Sequence, residues 1–140
     1  MPSSWTRIYL AVALGGGLGA VTRYGVSLAL LHPGPQAFPW ATLLANLVGS
    51  FIIGLFQGLT GPDGRVLARP TTRRFVMAGF CGGLTTFSIF SLETVLMVGD
   101  GQVTLAALYV GSSLLLWVPA VAAGFLLAGY INGLRIRDFS

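Results

Sequence analysis

Lysine is absent from this chain. Its eight basic residues are all arginine, they face four acids, and charged residues make up 9% of the 140. Soluble domains carry roughly 25% charge. More than half of the chain is hydrophobic and the mean hydropathy is +0.81. A soluble fold of this length cannot hide so much apolar surface, so the class is an all-α integral membrane protein of one domain. Cysteine is nearly absent too: Cys81 stands alone, which excludes an intrachain disulfide and any Cys-based zinc or haem spacing. Histidine is represented only by His32, and no nucleophile–base pair or carboxylate dyad is visible, which argues against an enzyme. Apart from Arg23, the arginines fall in a short loop and near the two ends rather than along a groove, so nucleic-acid binding is not expected. The first apolar run is span length and lacks a clear cleavage site, so it is not expected to be a removable signal.

What is present is four apolar stretches of membrane-crossing length, at 8–31, 38–60, 75–98 and 103–131. "HPGPQ" (32–36) breaks the first from the second, because Pro33 and Pro35 cannot continue a helix. "GPDGRVLARPTTRR" (61–74) is a basic, Gly/Pro-punctuated loop, and "GDGQ" (99–102) is a tight polar turn. With four spans the two ends and the 61–74 loop share one side. That side holds Arg7, Arg65, Arg69, Arg73, Arg74, Arg135 and Arg137, while the opposite loops hold none. The expected topology therefore has both termini in the cytoplasm. Small residues recur at four-residue spacing: Gly15/Gly19 and Gly16/Ala20, then Ala41/Ala45/Gly49, then Ala120/Gly124/Ala128. Such stripes let helices approach closely in lipid. "GGGLGA" (15–20) satisfies a loose dinucleotide-binding pattern, but it sits inside an apolar helix with no strand before it.

The third stretch carries "GFCGGLTTFSIF" (79–90). Gly82 and Gly83 each weaken a helix by about 1 kcal/mol relative to Ala. Thr85 and Thr86 can divert backbone hydrogen bonds through their hydroxyls. A helix break near 82–86 is expected, and backbone freed at that depth offers carbonyls as cation ligands. Phe87 and Phe90, three residues apart, share a helical face, with Ser88 between them; ring edges are electropositive and suit an anion. In the second span Thr42 and Asn46 lie one turn apart, and in the fourth Tyr109 and Ser113 do the same. Each of these residues alone has a plainer role in packing or in interhelical hydrogen bonding. Together they form neutral donors and ring edges with no lysine in any span, a lining in which a small anion binds weakly and at several sites. Arg23 is expected to hold carbonyls or another helix, and Glu93 to accept hydrogen bonds or pair with an arginine.

"GFCGGLTTFSIF", "TLLANLVGSFIIG" (42–54) and "GGGLGAVTRY" (15–24) resemble the signature segments of the bacterial fluoride channel family (Fluc, also called CrcB), and they fall in the family's order. The resemblance implies a passive fluoride-selective channel of the bacterial inner membrane that exports fluoride from the cytoplasm. It implies an antiparallel, dual-topology dimer with two pores and a structural Na+ at its centre. By motif position that ion would be bound by the backbone carbonyls of Gly82 and Thr85. Asn46, Phe87 and Phe90 match the family's pore-lining amide and ring pair, Arg23 its first-span arginine, and Tyr109 and Ser113 its polar track on the fourth span. One local departure is Ile89, where the commonest family form "TTFSTF" has a threonine. A second departure is the arginine bias. One sequence that inserts both ways needs near-balanced charge, so a paired homologue is expected as the partner in place of a second copy. Two further classes stay open at this point. A small multidrug exporter would need an acid where the first span has Arg23, and a non-conducting assembly subunit would leave the Asn/Thr/Phe/Ser set unused.

Overall fold

The computed structural model describes residues 4–30, 38–62, 64 and 66–137, with the side chains of Ser4 and 134–137 left aside. The expected break at His32–Gln36 and the side chains of Arg65, Arg135 and Arg137 lie outside the described residues. The elements are α1 (Ser4–Ala29), α2 (Trp40–Thr60), α3 (Pro70–Arg74), a π-helical stretch (Phe75–Cys81), α4 (Gly82–Leu84), α5 (Phe87–Gly99) and α6 (Val103–Arg137). There is no strand among the described residues. Pro70 opens α3 at a position where its missing N–H costs nothing. Three spans, Trp40–Thr60, Pro70–Gly99 and Val103–Gly133, are long and apolar enough to cross a membrane. α1 has the length, at 26 residues, but Arg7, Thr22, Arg23 and its glycines dilute its apolar character. The chain is a multi-pass membrane protein, and every secondary-structure element among its described residues is helical.

The bundle consists of two parallel pairs. α1 runs alongside the third span in the same direction. A Cβ on Gly15 would meet Phe80 N at 2.9 Å and Gly79 Cα at 3.0 Å, and one turn later a Cβ on Gly19 would meet Leu84 N at 2.7 Å. A Cβ on Gly83 would in turn strike Gly16 C at 2.9 Å. α2 and α6 form the second pair: Gly54 lies on Val121 and Phe125, and Gly124 lies on Phe51 and Leu55, whose N would be 2.7 Å from an added Cβ. Backbone-to-backbone approach of this kind replaces the hydrophobic drive that lipid cannot supply. Gly15, Gly19, Ala45, Ala120, Gly124 and Ala128 pack as their spacing suggests. Gly49 does something different, since its missing Cβ makes room for the Thr85 side chain.

The α5–α6 turn is closed by Gln102 N donating to Met97 O at 2.8 Å and Gly101 N to Val98 O at 3.1 Å. Gly101 has φ +76°, which a side chain disfavours, and this accounts for the glycine in "GDGQ". At the other end Arg73 donates from an Nη to Gln57 Oε1 at 2.8 Å, and Asn132 Nδ2 donates to Gly58 O at 3.1 Å. The end of α2 is thereby tied to the start of the third span and to the end of α6.

Candidate functional site

The third span breaks at Thr85 and Thr86, both of which are extended (ψ 154° and 119°). Gly82 and Gly83 are themselves helical (φ −64°, ψ −32° at Gly82). The glycines therefore precede the break, and the threonines make it. Thr85 N still donates to Cys81 O at 2.9 Å, and Thr85 Oγ1 donates to the same carbonyl at 2.8 Å, which closes the first half. Thr86 Oγ1 then accepts from Ile89 N at 3.2 Å and caps α5.

Asn46 holds the break open. Its Oδ1 accepts from Thr86 N at 2.7 Å, and its Nδ2 donates to Thr86 O at 3.0 Å. One buried amide thus satisfies both polar groups of an extended residue at membrane depth, as that depth requires. Gly49, one turn further along α2, leaves space for Thr85. In an unbroken helix Thr86 N would bond Gly82 O, and Ile89 N would bond Thr85 O. Both N–H groups are engaged elsewhere, so Gly82 O and Thr85 O lose their helical donors. Gly83 O is taken by Arg23 Nε at 3.2 Å, the carbonyl-holding role expected of that arginine.

Beyond the break Phe87 and Phe90 diverge in environment. Their ring centroids are 5.6 Å apart with the planes tilted by 48°. Phe90 is 7% exposed and Phe87 is 75% exposed. Phe90 packs against Tyr109 at 5.1 Å and edge-on to Trp117 at 5.0 Å, while Phe38 meets Tyr109 edge-on at 5.4 Å. Ser88 is exposed beside Phe87, its Oγ 3.3 Å from Thr86 Oγ1.

Glu93, one turn after Phe90, is the hub of a second network. Its Oε1 accepts from Thr42 Oγ1 at 2.9 Å, and its Oε2 accepts from Tyr109 OH at 2.7 Å. Thr42 and Tyr109 are buried, and the carboxylate links α2, α5 and α6 in one layer. One turn along α6, Ser113 is fully buried and its Oγ has no hydrogen-bond partner. Uncompensated burial of a hydroxyl is unfavourable. A cavity of about 400 Å³ opens above the layer, lined by Arg23, Ser27, Thr42, Ile89, Glu93 and Asp100 among others.

The structure therefore brings Thr42, Phe90, Glu93 and Tyr109 together, ties Asn46 to Thr86, buries Ser113 one turn beyond Tyr109, and leaves Phe87, Ser88 and Gly82 on the surface of the single chain. Sequence reasoning overlooked Trp117, whose Nε1 donates to Leu43 O at 3.1 Å and whose ring supports Phe90. The signal was available, because Tyr109, Ser113 and Trp117 are successive four-residue steps on one face of α6.

Comparison with known proteins places this architecture. A family model described as "CrcB-like protein, Camphor Resistance (CrcB)" matches residues 10–125. The chain is 49% identical to "Fluoride-specific ion channel FluC 1" of Bradyrhizobium diazoefficiens, over 96% of this chain and 97% of that protein. It is 49% identical to "Fluoride-specific ion channel FluC" of Opitutus terrae, over 91% of this chain and 97% of that one. It is 44% identical to "Fluoride-specific ion channel FluC 1" of Rhodopseudomonas palustris, over 91% of each. With most of its length matched by the family model and by these relatives, the chain belongs to the CrcB family.

Proposed function

We propose that this protein is a fluoride-selective channel that lets fluoride leave the cytoplasm passively. The observation that carries the reading is near-half identity, over almost the full length of both partners, to proteins named fluoride-specific ion channels. The site supports it chemically. Nδ2 of Asn46 has two hydrogens and gives one to Thr86 O; the second is a neutral donor for an anion. Ring edges of Phe87 and Phe90, the Ser88 hydroxyl and the uncommitted Ser113 hydroxyl extend the set. Thr42 and Tyr109 direct their hydrogens at Glu93, so they serve the ion only by exchanging a carboxylate partner for fluoride. No lysine occurs in the chain to hold an anion in a deep well, and weak multiple sites allow conduction.

The exposed Phe87 and the face around Gly82 are completed, in this reading, by a second family subunit in antiparallel orientation. The released carbonyls of Gly82 and Thr85 suit a hard monovalent cation such as Na+, because they are neutral oxygens with no helical donor. No group of three His, Cys, Asp or Glu side chains suited to a metal occurs among the described residues. A bound Na+ would supply positive charge that ties two breaks together; orientation of the fluoride donors remains the work of Asn46 and α5. The arginine bias favours termini on the cytoplasmic side of a bacterial inner membrane, and a paired homologue over a second copy. Two experiments test this. Expression in a fluoride-hypersensitive bacterium should restore growth in fluoride, together with the partner if needed; failure with both subunits in the membrane would contradict the channel reading. A reporter on the C-terminus should signal from the cytoplasmic side only, and equal signal from both sides would restore the homodimer.

A further inference from the structure

Between α2 and α6, on the arginine-bearing half of the molecule, lies a groove of about 460 Å³ that takes no part in the site above. It is lined by Ile53, Gly54, Val118, Val121, Ala122 and Phe125, and at one end by Gln57. Apart from Gln57 its walls are apolar. At its floor Gly54 packs directly on the α6 backbone at Val121. Gln57 is not an isolated polar residue, since its Oε1 accepts from an Nη of Arg73 at 2.8 Å. That bond fixes a guanidinium at the mouth of the groove. A guanidinium has five N–H donors, so one bond to Gln57 leaves others to meet an anion. Arg69 and Arg74 flank Arg73 on the same short segment, and both are exposed. Arg7 belongs to the same level, because α1 runs parallel to the third span and packs beside α3. No carboxylate is hydrogen-bonded to Arg73 among the described contacts.

We propose that this groove is a binding site for an anionic phospholipid, with an acyl chain between α2 and α6 and the phosphodiester on Arg73. The complementarity is that of an amphiphile: an apolar slot whose one polar wall residue, Gln57, holds a forked cation toward the headgroup region. Gln57 acts as the positioning residue. The site would couple the lipid composition of the arginine-side leaflet to the α2–α6 pair that carries Asn46 and Tyr109.

The test is native mass spectrometry of the purified protein titrated with phosphatidylglycerol or phosphatidylcholine of the same chains. The wild type should retain phosphatidylglycerol about fivefold more tightly, the scale of one cation at an anionic headgroup. Arg73→Gln should abolish that preference while leaving phosphatidylcholine retention unchanged. Ala122→Trp, at an exposed groove position, should fill the slot and reduce retention of both lipids. Equal retention of the two lipids by the wild type would overturn the proposal. So would undiminished retention in Ala122→Trp, or a disulfide between chains at Ala122→Cys, which would place a second subunit in the groove.

Discussion

From Phe75 to Leu84 the third span meets α1 through backbone, glycine against glycine, with Gly15, Gly19, Gly79 and Gly83 in van der Waals contact with main-chain atoms. From Phe87 to Gly99 it meets its neighbours through side chains: Phe90 in an aromatic cluster, Glu93 between two hydroxyls, and Phe87 left bare. The first half is a fixed plank whose α1-facing glycines, Gly79 and Gly83, leave no room for an added atom. The second half is a row of groups held at chosen heights. Asn46 joins the two by satisfying the backbone of Thr86, one of the two extended residues between them. The contrast lies within a single span: close backbone packing comes from absent side chains before the break, and the hydroxyls and rings that the proposed function uses follow it.

Substitutions on either side of the break should fail in different ways. Phe90→Ala removes the centre of the aromatic cluster and should cost about 3 kcal/mol or more in stability, read by thermal unfolding in detergent. Phe87→Ala, at a 75% exposed position, should leave the unfolding temperature of the single chain nearly unchanged while still depressing fluoride flux. Equal destabilisation by both would break the contrast. Gly83→Val forces a side chain into Gly16 and should cost about 1–3 kcal/mol by overpacking, seen as a lower monodisperse yield. Gly82→Ala meets nothing within 4 Å on its own chain, so it should fold as well as the wild type, with any defect confined to subunit pairing.

Asn46→Leu strands the Thr86 N–H and C=O, a loss of about 1–3 kcal/mol. Fluoride flux should fall at least about tenfold, the equivalent of about 1.4 kcal/mol in barrier height. The smallest effect is expected of Ser113→Ala, which breaks no bond in the resting chain. Its stability should stay within about 0.5 kcal/mol of wild type, and a reduced flux would mark the hydroxyl as an ion contact.

Much of this was legible in the residues. The helix break could be placed near 82–86 because glycines and paired threonines conflict with a span-length apolar run. Its position at Thr85–Thr86 could not, because it depends on a side chain forty residues away, Asn46, competing for Thr86 N. Small-residue stripes identified Gly15, Gly19 and Gly124, yet the packing role of Gly83 was masked by its neighbour Gly82, which the structure leaves open. Glu93 was legible as an acceptor; that its donors are Thr42 and Tyr109 follows only from how α2 and α6 pair. Phe87 and Phe90 read as equivalents, and only the tertiary arrangement buries one and bares the other.

The most direct measurement is fluoride efflux from liposomes containing the purified protein, with chloride as the control ion, alone and with its family partner. The account predicts fast fluoride efflux with chloride retained. It predicts activity with both subunits present, and with this chain alone only if it inserts both ways. Silence from folded protein in both preparations, or equal passage of chloride, would contradict it.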